Sequence, residues 1–279
     1  MAAVLLALLT AVAYGVANYL GPLLSRRLPL GGVLLVGQTA SLLGAAGFVA
    51  VSGASTDRAG LALGAAAGVI NGIALASFYL AAARGPLSVV APIGSTGAVV
   101  PVVVAIAFGE RPSALQLVGI PIAVLGVALA ATRAAAAPSE PHDSKSVAGL
   151  AVFNALAFGA FLAVFAEASR HGSAAALLSS RASLLVCTAA VVVAARLPCA
   201  IPRRDLVATA VPGLLLVLGT AAYGVATTKG LVSIVSVIAT LSPVVTVGLA
   251  VALLGERLVG RQRAGVMVAL LGVVLLAAG

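Results

Sequence analysis

The sequence contains no tryptophan, two histidines, two cysteines and seven acidic residues among 279, and each shortage excludes a class of protein. Charged residues make up 8% of the chain, against about 25% in soluble domains. With a mean hydropathy of +1.22, there is more apolar surface than an aqueous fold could hide. Cys187 lies inside an apolar run and Cys199 in a loop, with no Cys-x-x-Cys pair and no histidine near enough to complete a metal set. No disulfide, metal or other cofactor is therefore expected. His142 and His171 lie in or next to loops, and neither His-Glu-x-x-His nor paired membrane aspartates occur. An intramembrane enzyme would lack its parts, and no catalytic residues are assigned. Without Trp the interfacial belt is thin, so arginine must anchor the helix ends. The net charge of +9 follows from that: the arginines stand singly or in pairs through the loops. That scatter is not the single basic patch of a nucleic-acid binder.

What the chain does have is long apolar runs. They cover residues 2–24, 31–52, 60–83, 87–108, 114–132, 147–168, 174–195, 206–228, 232–254 and 264–278. A helix needs about 20 residues to cross a hydrocarbon core of about 30 Å, and spanning backbone must satisfy its own hydrogen bonds. The expected fold is an all-α integral membrane protein of ten transmembrane helices. Ala11-Val12-Ala13 resembles a signal-peptidase site, but no basic residue precedes it and Arg26-Arg27 follows, so the first run is read as a retained helix. The stretch with linker composition is 133–146, containing Pro138, Glu140, Pro141 and Asp143. It separates a first five-helix repeat, 1–132, from a second, 147–279.

The halves are copies. Arg84-Gly85 through Ser88-Val89-Val90 reads like Lys229-Gly230 through Ser233-Ile234-Val235, and Gly109-Glu110-Arg111 like Gly255-Glu256-Arg257. Gly119 and Gly126 match Gly265 and Gly272, while Tyr14-Gly15 echoes Phe158-Gly159. An odd number of spans per repeat makes the second copy enter from the opposite side. Such inverted halves characterise secondary transporters with a midplane site.

In their duplicated order these motifs resemble the drug/metabolite transporter superfamily, specifically its EamA-type ten-helix members. The parts that carry the resemblance are the two Gly-Glu-Arg turns, the glycine pairs after them, Ser242-Pro243 ahead of Glu256, Tyr14-Gly15 and Arg181-Ala182-Ser183. The resemblance implies transport, often export, of small organic solutes such as amino acids, metabolites or drugs across a bacterial cytoplasmic membrane. It also implies cytoplasmic termini. Three positions depart from the pattern: Gly97 for a proline, Gln38 for an arginine and Tyr14 for a tryptophan.

The fourth run of each half carries polar residues at helical spacing: Ser88, Pro92, Ser95 and Thr96 in the first, Ser233, Ser236, Thr240 and Pro243 in the second. Pro92 and Pro243 remove a backbone donor and free a carbonyl one turn earlier, bending the helix and leaving an acceptor at membrane depth. Ser95, Thr96, Ser236 and Thr240 are substrate-binding candidates; the alternative is that they pack closely and bond their own helix carbonyls. Tyr14, Asn18, Asn71 and Tyr223, with Thr220 and Thr227 nearby, are further candidates. Asn154, Phe158, Phe161 and Phe165 form a stripe better suited to packing than to substrate. Gly60, Gly64, Gly68 and Gly72 suit close helix approach. Arg181 is expected to hold an anionic group, to pair with Glu167, or to snorkel from a helix end. No carboxylate falls mid-helix, so a facilitator is expected rather than a proton-coupled carrier.

The expected partners are a small-molecule substrate, neutral or zwitterionic by its lining, and membrane lipid, in a monomer or homodimer. A lipid flippase or a membrane scaffold is the alternative. Arg26, Arg27, Arg196, Arg203, Arg204, Arg261 and Arg263 fall in odd-numbered loops. The positive-inside rule therefore places both termini outside, against the resemblance.

Overall fold

Helix is the regular structure of this chain because its apolar runs leave the backbone no other source of hydrogen bonds in lipid. The computed structural model describes residues 1–53, 57–84, 93–94, 96–130, 144–254 and 260–279. Pro92, Ser95, the Gly255-Glu256-Arg257 turn and most of the 133–146 linker lie outside the described residues. The helices are α1 Ala2–Ser25, α2 Leu30–Ser52, α3 Arg58–Arg84, α4 Val99–Ala107 after a 3-10 turn Thr96–Ala98, and α5 Ala114–Ala130. They continue as α6 Ser144–Arg170, α7 Ser173–Ala194, α8 Leu206–Thr227, α9 Val232–Ala239, α10 Ser242–Leu254 and α11 Gly260–Ala278. No strand occurs among the described residues.

Eight segments are long and apolar enough to cross a membrane, with α9 and α10 counted together; Thr96–Ala107 and Ala114–Ala130 are shorter apolar helices. The chain is thus an all-α, multi-pass membrane protein. Its outer faces fit that class, since Leu5, Leu43, Val103, Leu125, Leu156, Val186 and Leu271 are exposed.

Local sequence explains the helix ends. Pro29 precedes α2, and Gly53 leaves it at φ 67°, where a side chain would be strained. Asp57 Oδ1 accepts from the Ala59 amide at 2.9 Å, capping α3. Ser113 and Gln116 bond each other's amides, at 3.0 and 3.2 Å, to open α5 as a capping box. The ninth run is interrupted at Thr240 and Leu241, and Pro243 stands in the first turn of α10.

Small residues set the helix contacts. Along α3, a Cβ at Gly60, Gly64, Gly68 or Gly72 would meet His171, Ala176, Ser180 or Cys187, all on or just before α7. In the α5–α11 crossing, Gly126 lies against Ala269, Gly265 against Ala130, and Gly272 against Ala123, so each half's glycine pair seats on the other half. α1 packs on α8, α9 and α10, while α6 packs on α3 and α4; α2 and α7 meet each other. Gly15 abuts Val245, and Gly159 abuts Val100. The aromatic core is Phe161, Phe165 and Tyr223, all fully buried, with ring centroids 5.8 and 6.4 Å apart along the row.

The helix ends sort into two sets. Ala3 lies by Gly230, Asp57 by His171, Glu110 by Val232, and Gly279 by Ser113. At the opposite end, Gly31 and Gly32 lie against Pro198 and Cys199.

Candidate functional site

Polar groups inside these spans are few, so where they collect is informative. Arg181, on α7, is 2% exposed, so its side chain is buried among the helices. Its Nη2 donates to Thr220 Oγ1 on α8, and the guanidinium lies against the Tyr14 hydroxyl of α1. The proton bookkeeping at Thr220 is determined. Its hydroxyl donates to the Leu216 carbonyl at 2.8 Å, so its oxygen accepts from both Arg181 and Tyr14, the latter at 2.7 Å. Gly219 makes room for this, because any Cβ there would fall 2.7 Å from the Tyr14 ring. Thr10 donates to the Gly219 carbonyl at 3.0 Å, fastening α1 to the same turn of α8.

One turn further along α8, Tyr223 donates to the Leu162 carbonyl of α6 at 3.0 Å. Its oxygen therefore receives the Ser236 hydroxyl of α9 at 2.8 Å. Tyr14, Arg181, Tyr223 and Ser236 are thus gathered around α8 from α1, α7 and α9, with the halves of the chain interleaved.

The remaining candidates behave differently. Thr240 and Thr96 bond back to Val237 and Ile93, at 2.8 and 2.7 Å, which is the packing alternative. Asn18 is exposed and Asn71 half-buried. Glu167 pairs at 3.0 Å with Arg170 and at 3.8 Å with His171, all well exposed. It therefore does not neutralise Arg181.

A second layer escaped the sequence reading. Gln38 Oε1, Ser41 Oγ, Ser180 Oγ, Arg181 Nε and Thr188 Oγ1 are buried without a hydrogen-bond partner among the described residues. They lie on α2 and α7, which pack together. Ser180 adjoins Arg181 and Thr188 is one heptad on, a spacing that could have marked them; Gln38 stood out only as a departure from the arginine expected there.

Glu110, a turn residue expected to pair with Arg111 or with exposed amides, meets amides. Its carboxylate accepts from the amides of Val232 and Ser233 at 2.6 and 3.0 Å and from the Ser233 hydroxyl at 2.7 Å. An anion at the positive N-terminus of a helix is favourable, and here it ties the first half's turn to α9.

At the level of sequence, no family model and no curated protein matches the chain. The fold is shared with solved structures. One, described only as "Crystal structure of protein", is similar over 98% of this chain and 95% of its own, with a TM-score of 0.76 at 14% identity. The class these features define is a multi-pass, all-helical membrane protein with a buried polar network around one arginine.

Proposed function

We propose that the chain is a secondary transporter of the EamA type, a non-enzymatic facilitator or exporter that moves a small organic solute across the bacterial cytoplasmic membrane by alternating access. The observation that carries this reading is the Tyr14–Thr220–Arg181 network. A membrane scaffold has no use for a buried guanidinium among hydroxyls, since charge inside the bilayer is costly and is retained for a function.

The inverted ten-span repeat rests on correspondences between the halves. Gly15 meets Val245 as Gly159 meets Val100, and the glycine pairs of α5 and α11 are mutual. α1 begins at the Gly230 end, where α6 finishes beside Asp57; these two helices run in opposite directions, which supports the inverted reading. The interleaved network is where such a carrier would be expected to place its substrate.

A lipid flippase is the second reading. A groove of ≈ 290 Å³ between α1 and α8 is lined by Leu20, Leu23, Leu24, Ala208 and Val211, with Arg27, the composition that suits an acyl chain below an anionic headgroup.

Counterflow in proteoliposomes against amino acids, nucleosides and cationic dyes tests the proposal, with Arg181→Gln and Asn18→Ala as paired variants. Saturable exchange lost in Arg181→Gln is expected. Absence of exchange with every solute, alongside movement of labelled phospholipid, would shift the assignment to the flippase.

A further inference from the structure

Arg181 is a fixed cation within the spans: guanidinium stays protonated in proteins. Its neutralising partner has to be found, because an unpaired charge buried among the spans is costly. The described carboxylates do not supply one. Asp57 is on His171, Glu167 on Arg170 and His171, Asp205 on Arg204, and Glu110 on the α9 amides.

The hydroxyls around Arg181 satisfy it in part: Thr220 and Tyr14 both bond the guanidinium. Thr220 Oγ1 has both lone pairs engaged and its proton committed to Leu216. Among the described residues, Arg181 Nε remains buried without an acceptor. Its free Nε–H is one member of the side-on donor pair with which a guanidinium meets the two oxygens of a planar carboxylate. One arginine neutralises one negative charge, so a monoanion leaves the site neutral, whereas a phosphate dianion would leave it charged in a buried setting.

We propose that Arg181, positioned by Thr220 and Tyr14, is a binding site for a soluble monocarboxylate, which replaces the neutral or zwitterionic substrate expected from the lining alone. Binding stands on this geometry; only the movement of the anion rests on the carrier reading.

The test uses the purified full chain in detergent, its thermal unfolding followed with acetate, lactate and benzoate, and with lactamide, benzamide, inorganic phosphate and oleate as contrasts. At least one soluble carboxylate is expected to stabilise the protein saturably, with the matched amide inert. In Arg181→Gln the half-saturating concentration should rise about tenfold or more, as loss of a hydrogen bond to a charged group implies. Arg181→Lys, which keeps the charge and loses the fork, should fall between. Should Arg181→Gln fail to fold, Thr220→Val carries the test, with an expected weakening of a few fold.

No saturable stabilisation by any of the three carboxylates overturns the site, as does equal stabilisation by the amides, or by phosphate or oleate alone. Carboxylate stabilisation without counterflow of that carboxylate leaves the site and removes the carrier. Counterflow of uncharged solutes that is intact in Arg181→Gln, without stabilisation by any carboxylate, leaves the carrier and removes the site.

Discussion

The Tyr14 ring lies over Gly219, and that contact holds the polar network in register. Replacing Gly219 by Val would push side-chain carbons into the ring, an overpacking that costs about 1–3 kcal/mol and separates Tyr14 from Thr220. The expected outcome is a lowered unfolding temperature together with loss of exchange. Gly224→Ala, which meets the Ser169 hydroxyl at 2.8 Å, should lower stability with a smaller effect on exchange. Glu110→Ala removes an acceptor shared by two amides and a hydroxyl at the start of α9. A loss of about 0.5–2 kcal/mol is expected from the capping effect, measured by thermal unfolding in detergent, with Glu110→Gln intermediate. Arg181, Tyr14, Tyr223 and Ser236 were legible in the sequence because polar residues stand out in apolar runs. Gly219 was not, since a glycine in a membrane helix carries no mark of which neighbour leans on it. Glu110 was legible as a turn carboxylate seeking arginine or exposed amides, but which amides was not, because those that it caps lie in the other half of the chain.

The glycine faces determine how the helices sit. The face of α3 bearing Gly64 and Gly68 touches the backbone of α7, so Gly68→Leu must part the two helices instead of merely straining a side chain. That variant is expected to lower the yield of monodisperse protein and to expose Cys187, which lies against Gly72; faster labelling of Cys187 by a maleimide is the readout. The four-residue glycine spacing announced a packing face from sequence, but not its partner, because small residues accept any backbone. Long apolar runs were equally plain, and eight segments of the structure are long and apolar enough to cross a membrane; the start of the fourth run lies outside the described residues. What periodicity could not reveal is the interruption at Thr240 and Leu241, which splits the ninth run into α9 and α10. Pro243 pointed there only through the donor that it lacks.

Across the molecule, charge is unevenly divided. Arg26, Arg27, Arg196, Arg203, Arg204, Arg261 and Arg263 gather at the end marked by Gly31 and Pro198, against Arg58, Arg111, Arg170 and Lys229 at the other. The positive-inside rule predicts the arginine-rich end in the cytoplasm, so a phosphatase fused at Gly279 should be active and a fluorescent reporter there dark; the reverse pattern would favour the orientation implied by the resemblance. The opposite end holds the Asp57–His171 pair at 3.0 Å. The Ala59 amide first, and then the bond to His171, hold the Asp57 carboxyl below its ordinary value of 3.8. A lowered folded value means that this contribution is present above the ordinary value and lost as pH falls through the lowered one. Asp57→Ala should therefore melt below wild type at neutral pH, with the two curves converging below 3.8.

Arg181 has one more consequence, and it is electrical. With a monocarboxylate bound the site carries no net charge, and without it the site carries one positive charge. Voltage acts only on charge that moves through the field, at about 2.3 kcal/mol per charge per 100 mV. A carrier built this way would exchange solute for solute at a rate indifferent to membrane potential, while net flux, which requires the unloaded protein to reset, would speed up or slow down with it.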